Sequence, residues 1–313
     1  MNEITCIGIL VTDLIAAPIT NYPDKGKLVI VDNVGIYTGG CAVNTGIALS
    51  RLGIKTGVIG KVGNDSLGDF IINSLKSENV DTNGIVRSKE KNTSTTVVLV
   101  NDEGERSFIH YIGANGDLGI DDINFEYLSG NKIVHIAGSF LMPKFDGTQT
   151  AEVLRKIKGM GITTSLDTAW DSSGKWFETL ESCLPYIDIF IPSIDEARMI
   201  SKKDKPEEIA QFFIEYGVKT VIIKMGSEGS FAFNGKETIY MPAFKVNVKD
   251  TTGAGDAFVA GFLTGKIKGF SLKASLELGN AVGALCVTSF GASSGIKSFD
   301  ETMDFIKEHK NDK

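Results

Sequence analysis

The chain has 313 residues, of which 42% are apolar, and a formal net charge of −7. This apolar fraction supplies a substantial globular core, and the length suits one large α/β domain or two smaller ones. The acidic balance argues against nucleic acid and against an acidic membrane surface as partners, because both bind a basic face.

The cysteines and the N-terminus predict a cytoplasmic protein. The four cysteines contain no C-x-x-C pair, and the three histidines are too scattered to indicate a zinc site. We therefore interpret the cysteines as the reduced thiols of a cytosolic protein. The first ten residues lack a basic leader region, and no apolar run approaches the length of a membrane span, so we expect no membrane partner.

The first predicted strand places a carboxylate near the start of the chain. Residues 4–11 form a short apolar run that predicts a buried strand, and Thr12 and Asp13 follow it. Ligands bind beyond the carboxyl ends of strands in open α/β sheets, and a carboxylate can accept two hydroxyl hydrogen bonds. Asp13 is thus a candidate ligand for a polyol, with an ordinary turn aspartate as the alternative.

Two β-rich pieces outside the main pattern predict a small β-sheet lid over about residues 14–37 and 94–112. The first piece contains the β-like runs 27–31 and 34–37. In the second, runs 95–100 and 105–111 flank an acidic turn that ends at Gly104, which is a hairpin signal. A sheet this small would leave an apolar face and open edges to be covered, so we expect a homodimer through the lid.

A Gly-Gly turn between these pieces opens an amphipathic helix that ends near Gly53. Gly39 and Gly40 allow the backbone to approach a ligand closely, and Asn44 in the first turn offers both a donor and an acceptor. A plain connector is the alternative interpretation. Further strands are predicted at residues 55–60, 131–137, 162–167, 186–191 and 220–224. Helical patterns separate them, which predicts right-handed β-α-β units and a mainly parallel sheet.

The stretch 250–258 contains the features that phosphoryl transfer needs. Gly253, Ala254 and Gly255 are small enough for consecutive N–H groups to point at one spot, and an apolar helical run follows them. Such donors stabilise a phosphoryl group in transfer. Asp256 can face the same spot and take the proton from an attacking hydroxyl. Ordinary helix capping is the alternative for a lone motif of this kind.

Residues 250–258 read D-T-T-G-A-G-D-A-F and match the second signature of the ribokinase/PfkB family of carbohydrate kinases, D-T-x-G-A-G-D-x-F. Residues 39–48 resemble its first signature, in which G-G is followed by N-x-x-x-A, and residues 63–68 resemble its G-x-D-x-x-G segment. The resemblance covers most of the chain. It implies a ribokinase-like α/β fold, with residues 1–313 as one domain, a mainly parallel central sheet flanked by helices, and a small β-sheet lid.

The resemblance also implies roles for particular residues. It makes Asp256 the general base and residues 253–255 the anion hole, and it places the sugar against Asp13, Gly39, Gly40 and Asn44. The nucleotide side comprises Lys224, Gly226, Ser227, Gly229, Asn280 and Ser193. The resemblance further implies that Glu196 orders magnesium through water, and that the backbone carbonyls of Asp250, Thr252, Cys286 and Gly291 can bind a potassium ion.

Two segments depart from the family pattern. The N-x-x-E of many relatives begins here with Ser193 and ends with Glu196, for which helix N-terminal charge complementarity is an equal alternative. The D-x-N of some relatives keeps only Asp167. Lys224 at a strand end could pair with a phosphate or be simply solvated, and Asn280 in a helix of small residues could serve packing alone.

Taken together, these features predict an ATP- and magnesium-dependent kinase that phosphorylates a primary hydroxyl of a small sugar, a ketohexose or a pentose. The Walker motif and the protein-kinase signatures are absent from the sequence, so the 253–255 cradle would hold the phosphate. One alternative is a nucleoside kinase of the same family, with lid residues Ile36, Tyr37, Phe108 and Tyr111 forming a platform for the base. The other is a non-catalytic sugar-binding protein on the same fold.

Overall fold

The structure is a computed structural model that describes residues 1–19, 21 and 23–309, and it contains two β-sheets, the larger one packed with helices. The strands of the described part are β1 (Ile4–Gly8), β2 (Val11–Ala17), β3 (Asn33–Gly39), β4 (Thr56–Gly63), β5 (Asp81–Ser88), β6 (Thr95–Val100), β7 (Arg106–Tyr111), β8 (Ile133–Ser139), β9 (Thr163–Thr168), β10 (Ile189–Phe190), β11 (Thr220–Lys224), β12 (Ser230–Phe233) and β13 (Thr238–Met241). The α-helices are α1 (Cys41–Arg51), α2 (Ser66–Ser77), α3 (Phe125–Leu128), α4 (Thr148–Gly159), α5 (Phe177–Leu180), α6 (Ile194–Ser201), α7 (Pro206–Glu215), α8 (Ala254–Ile267), α9 (Leu272–Cys286) and α10 (Phe299–Glu308).

The larger sheet has nine strands in the order β13-β12-β11-β10-β9-β8-β1-β4-β5. The pairings from β11 to β5 are parallel, and β12 and β13 add an antiparallel edge. Strands β1 and β8 are buried along their whole length, as expected where helices cover both faces of a sheet. The predicted α/β fold with a mainly parallel sheet is therefore confirmed.

Two apolar clusters cover the two faces of this sheet. Cys6 of β1 packs into one cluster and the next residue, Ile7, into the other, because successive side chains of a strand point to opposite faces. The first cluster includes the buried sides of α1, α8 and α9, and the second includes those of α4 and α7. Helices α1 and α8 thus begin on the same side of the sheet, beside its carboxyl-terminal edge.

The smaller sheet, called the lid from here on, has four strands in the order β3-β2-β6-β7. Strands β2 and β6 run parallel, and the other two pairs are antiparallel. The predicted hairpin of residues 95–111 is confirmed as β6 and β7, with the turn between them at residues 101–105. Residues 20 and 22 of the predicted lid segment lie outside the described residues.

Two strand predictions in this region are wrong. The run 4–11 is not one strand, because the chain leaves the large sheet after Gly8 and enters the lid at Val11. Between the two strands, the Asn115 side chain accepts a hydrogen bond from the Leu10 N–H and donates one to the Leu10 carbonyl oxygen. Because both backbone groups of Leu10 are used in this way, the strand is interrupted there. The run 27–31 forms no strand, because it has no neighbouring strand and its apolar side chains, such as Leu28 at 77% exposure, face solvent.

The other predicted elements occur with small shifts. Gly53 follows α1 with φ +81°, the conformation expected of a residue that ends a helix. Of the predicted strand 186–191, β10 keeps only two residues, since Leu184–Tyr186 forms a 3-10 turn. Among the helices that the structure describes, none is long and apolar enough to cross a membrane.

Candidate active site

Helix α8 begins with an anion-binding backbone. Gly253 precedes it with φ +75°, and a Cβ there would lie 2.5 Å from the Ala292 carbonyl oxygen, so the position requires glycine. The N–H of Ala254 closes a turn, whereas those of Gly255 and Asp256 have no acceptor among the described residues. Two N–H groups at the positive end of a 14-residue helix therefore remain for an anion.

A hydrogen bond joins the starts of two helices at this point. Asn44 in α1 donates from Nδ2 to Oδ2 of Asp256 in α8, at 2.8 Å. Gly40 caps α1 with φ +95°, and a Cβ there would lie 2.4 Å from the Ile9 carbonyl oxygen. The two glycine-opened helices thus bring an amide from the first motif against the carboxylate of the second, although 212 residues separate them.

The carboxyl group of Asp256 is a stronger base than an ordinary aspartate. Burial raises its pKa to about 7, and the neighbouring charge of Asp167 adds to this effect. The hydrogen bond from Asn44 and the charge of Lys224 act in the opposite direction. A carboxylate of this basicity suits proton abstraction near neutral pH.

Lys224 at the end of β11 points into the same cluster. Its Nζ lies 3.7 Å from Oδ2 of Asp167 and would lie 3.4 Å from a Cβ at Gly255. Burial disfavours the ammonium form, but the charges of Asp167, Glu196 and Asp256 outweigh this and raise the pKa of Lys224. Lys224 is thus a charged group beside the cradle, with 14% of its side chain exposed, rather than a solvated strand end.

The predicted sugar site combines two glycines with a lid carboxylate. Gly39 ends β3, and a Cβ on it would lie 2.2 Å from Oδ2 of Asp13, so the carboxylate lies against the glycine backbone. Asp13 sits inside β2 of the lid, not at the end of a strand of the large sheet. Burial raises its pKa, while Thr96 and His110 act to lower it.

A lid arginine that the sequence did not single out reaches the approach to the cradle. Arg106, the first residue of β7, lies with Nη2 3.0 Å from Oδ1 of Asp250 and also donates to the Thr252 hydroxyl. Burial would raise the pKa of Asp250, but Arg106 and the donors from Gly291 and Thr252 together depress it strongly. No local sequence pattern marks Arg106, since its partner is fixed by how the lid lies over α8.

The predicted nucleotide loop is an exposed 3-10 turn at Gly226–Glu228, next to the end of β11. Gly226 has φ +58° with open space around it, and Ser227 is exposed. Gly229 has φ +99°, and a Cβ there would lie 2.1 Å from the Met241 carbonyl oxygen. The turn has the accessible backbone that a nucleotide needs, and Gly229 is required by packing.

The side-chain amide of Asn280 is hydrogen-bonded within the protein. Its Nδ2 donates to the backbone carbonyls of Met241 and Pro242, each at 3.0 Å, and its side chain is 7% exposed. This contact fixes the segment that leaves β13 against α9. The structure therefore favours the packing interpretation of Asn280.

Ser193 and Glu196 form the capping box of α6. The Ser193 hydroxyl accepts from the Glu196 N–H, and Oε2 of Glu196 accepts from the Ser193 N–H at 2.8 Å. The same oxygen accepts from the Thr168 hydroxyl at 3.0 Å. Helix capping thus occupies one oxygen of Glu196. The other oxygen is left for a further ligand, and carboxylate oxygens are of the type that magnesium prefers, directly or through water.

Among the described residues, no group of three or more His, Cys, Asp and Glu side chains could hold a metal ion. Of the proposed monovalent-cation residues, Asp250 binds the Gly291 N–H through Oδ2, and Cys286 lies with Sγ 3.6 Å from the Thr252 carbonyl oxygen. The structure therefore brings Asp250, Thr252, Cys286 and Gly291 to one junction. Their carbonyl groups fit a potassium ion by type, and the Cys286 carbonyl also accepts from Ser289 at 3.4 Å.

Comparison with known proteins gives a consistent result. The model of the pfkB family carbohydrate kinases matches residues 1–298. The ATP-dependent 6-phosphofructokinase of Thermoanaerobacterium thermosaccharolyticum is 33% identical over 306 residues, covering 95% of this chain and 92% of that protein. The 5-dehydro-2-deoxygluconokinase of Clostridium beijerinckii is 32% identical over 289 residues, covering 88% and 85%.

Solved structures agree in fold. An E. coli protein described as ribokinase II, in complex with ATP and Mg²⁺, superposes with a TM-score of 0.86. The two chains are 27% identical, and the match covers 99% of this chain and 100% of the other. The two proteins therefore share one fold over nearly their whole lengths.

Proposed function

Because this chain belongs to the pfkB family of carbohydrate kinases, we propose that it transfers the γ-phosphate of ATP to a primary hydroxyl of a ketohexose or a pentose. The observation that carries the proposal is the contact of Asn44 with Asp256 at the start of α8, next to two free N–H groups and Lys224. A carboxylate of raised pKa, two free N–H groups and an ammonium group lie within one small volume, which supports the proposal.

In this proposal Asp256 accepts the proton of the acceptor hydroxyl. Asn44 holds Oδ2 in place, and Oδ1 would take the proton of the acceptor hydroxyl. The pKa of Asp256, raised to about 7 by burial and by Asp167, lets the carboxylate take a proton while still being largely ionised at slightly alkaline pH. The hydroxyl oxygen then attacks the γ-phosphorus as the bond to the leaving diphosphate breaks.

The charge that builds on the transferred group meets fixed donors. The N–H groups of Gly255 and Asp256 and the positive end of α8 face it without reorganisation. Lys224 adds a full positive charge, because the neighbouring Asp167 favours the protonated form of its ammonium group. ATP would lie over the exposed turn that contains Gly226 and Ser227, whose open backbone supports this placement.

Magnesium fits the oxygen atoms on the nucleotide side. Glu196 would hold it through water with its free oxygen, close to Thr168 and Ser193. When bound, the ion neutralises charge on the phosphate oxygens. The E. coli structure with ATP and Mg²⁺ supports this pairing of cofactors. A potassium ion at the junction of Asp250 and Cys286 is a further part of the proposal.

The distribution of lid aromatics bears on the nucleoside alternative. Tyr37 and Phe108 lie on the lid face that also bears Asp13, whereas Ile36 and Tyr111 lie on the opposite face, since alternate strand residues point to opposite sides. Only two of the four residues could therefore contact a base. This arrangement favours a sugar acceptor over a nucleoside.

The opposite face of the lid supports the proposed homodimer. One cross-strand row on it consists of Ile36, Leu14, Val97 and Ile109. Ile36 is 49% and Ile109 55% exposed, so a continuous apolar surface faces solvent. A second copy of the lid would bury it with two-fold symmetry.

The four cysteines are free thiols, which suits the proposed cytoplasmic location.

The proposal is tested by turnover. The purified enzyme with ATP and magnesium is assayed against ketohexoses, pentoses and nucleosides, and against the acids and sugar phosphates that the relatives' names suggest, with ADP release and product phosphate measured separately. We expect phosphorylation of a ketohexose or a pentose. Faster turnover of a nucleoside would establish the alternative, and binding without turnover of any acceptor would establish a non-catalytic protein.

A further inference from the structure

A row of side chains crosses all four lid strands at the level of Asp13. Asp13 of β2 is paired with Tyr37 of β3 on one side and with Thr96 of β6 on the other, and Thr96 is paired in turn with His110 of β7. Side chains that are directly opposite each other on neighbouring strands share one face of the sheet. The four residues therefore form one continuous row, called the polar row below.

The polar row faces the cradle. Arg106, Phe108 and His110 alternate along β7 and so share a face. Arg106 from that face bonds Asp250 and Thr252, just before the cradle in sequence. Within the row, the Asp13 carboxylate lies against Gly39. Arg106 and Asp13, from two strands of the same lid face, thus both lie beside the proposed acceptor site.

The hydrogen bonds along the row have one consistent direction. The Asp13 carboxylate interacts with the Thr96 hydroxyl, and an ionised carboxylate can only accept, so Thr96 donates to it. The Thr96 oxygen is then free to accept, and Nδ1 of His110 lies 3.0 Å from it. Nδ1 therefore carries the proton. Since burial lowers the pKa of His110, its ring is neutral at pH 7 and Nε2 is left with a lone pair.

Nε2 of His110 has no hydrogen-bond partner among the described residues. The row therefore presents two acceptors to the acceptor site, a carboxylate oxygen of Asp13 and the ring nitrogen of His110. Two fixed acceptors match two hydroxyl donors. The same face offers little to an anion, because Asp13 is negative and the charge of Arg106 is engaged by Asp250 at 3.0 Å.

We propose that His110 is a specificity-determining residue of the acceptor site, and that Asp13 and His110 Nε2 together select a neutral polyol by accepting hydrogen bonds from two of its hydroxyl groups. This inference rests on the proposed sugar kinase activity for its site but goes beyond it in assigning His110 and its ring nitrogen to the recognition of the acceptor. It sets this chain apart from relatives named for a gluconate derivative or a fructose phosphate.

Three variants isolate the ring nitrogen. In His110→Gln the side-chain oxygen can replace Nε2 as an acceptor, whereas His110→Asn keeps a donor for Thr96 but does not reach the Nε2 position. Ile109→Ala, one residue away on the opposite lid face, controls for general damage to β7. Affinity is measured by calorimetry on the full chain with D-ribose, D-fructose, ribose 5-phosphate and fructose 6-phosphate, with and without a non-hydrolysable ATP analogue, and kcat and KM are measured in parallel.

We expect one neutral sugar to bind more tightly than its phosphate. For that sugar His110→Asn should weaken binding and raise KM by about tenfold with kcat changed less than twofold, the scale of one lost hydrogen bond, while His110→Gln and Ile109→Ala stay within about twofold of wild type. Among monodeoxy analogues of the sugar, one should bind wild type and His110→Asn equally, because the bond is already absent.

Tighter binding of either phosphate, no binding of either neutral sugar, or equal effects of His110→Asn and Ile109→Ala would each overturn the inference. A sugar that binds in a His110-dependent manner without being phosphorylated contradicts the proposed kinase activity and leaves the inference standing. The two proposals can therefore fail separately.

Discussion

The cradle at the start of α8 and the lid above it handle polar groups in opposite ways. At the cradle, Asp256, Asp167 and Lys224 are crowded at a buried point, and the pKa of Asp256 is raised to about 7. In the lid, Thr96 and the exposed His110 form a chain of single hydrogen bonds leading to Asp13. Crowded charges suit bond breaking, whereas an ordered row of acceptors suits recognition. Damage to the cradle should therefore appear in kcat, and damage to the lid in KM.

Asp256→Asn is expected to have the largest effect, and it tests the role of the cradle in catalysis. The amide keeps the size of the carboxyl group but cannot take a proton, so we expect kcat to fall by at least ~10² with nucleotide affinity little changed. Steady-state kinetics and ATP binding by calorimetry measure the two quantities. Activity within threefold of wild type would mean that another group is the base.

The same variant has an expected stability effect with opposite sign. The pKa of Asp256 is about 7 in the folded chain, above its unfolded value of 3.8, so folding favours the protonated form and stability falls as pH rises between these values. Asp256→Asn removes that loss and should melt a few degrees above wild type at pH 8 but not at pH 4.

The same pKa predicts the pH dependence of the wild type. As the Asp256 carboxyl group ionises, kcat/KM should rise with pH up to about 7 and then level off.

Gly255→Val is expected to act almost as strongly, through the phosphate rather than the proton. A Cβ at this position meets the Lys224 ammonium at 3.4 Å, and the two further methyl groups of valine fill the space above the free N–H groups. We expect kcat to fall by about 10²-fold, the scale of losing one oxyanion donor. Circular dichroism and thermal melting check that the variant folds. A folded variant with wild-type kcat would place the phosphate elsewhere.

Arg106→Ala tests whether the lid acts through closure. Loss of its bonds to Asp250 and Thr252 should loosen the lid over the site, so we expect the sugar KM to rise by about fivefold and more ATP to be hydrolysed per sugar phosphorylated. Arg87→Ala is the matched control, since it removes a surface ion pair with Asp69 outside the lid. Equal ratios of hydrolysis to transfer in the two variants would contradict closure by Arg106.

The smallest effect on chemistry is expected from the outer lid face. Ile36→Asp with Ile109→Asp places charges on the apolar row and should convert the proposed dimer to monomers, with kcat changed less than threefold. Val248→Asp, at 56% exposure outside the lid, is the matched control. Light scattering at micromolar concentration reports the mass. A wild type that is already monomeric would remove the dimer from the proposal.

Local chemistry made the cradle readable from the sequence. Gly253, Gly255 and Asp256 lie within one helical turn, and their spacing alone places two N–H groups and a carboxylate together. Gly40 is read in the same way from the start of α1. The contact between Asn44 and Asp256 follows from the packing of two helices, so the sequence could suggest its members but not their distance.

Only part of the lid could be predicted from the sequence, because the pairing register of its strands depends on residues far apart in the chain. The hairpin of β6 and β7 has a turn signal, but the pairing of β2 with β6 has none, and it decides that Asp13 belongs to the lid. Arg106 and His110 gain their roles only from that pairing. The apolar run 27–31 has strand composition but no strand to pair with, and Asn280 has helix neighbours that hide its bonds to Met241 and Pro242.

The parallel pairing of β2 with β6 also bears on how the chain folds. Thr12 pairs with Thr95, and the chain between them contains β3, α1, β4, α2 and β5. Contacts between residues so far apart form slowly, because the cost of closing the intervening loop precedes any gain. We therefore expect the local hairpin of β6 and β7 to form before β2 pairs with it. The lid face that bears Asp13 then depends on a contact that we expect to form late in folding.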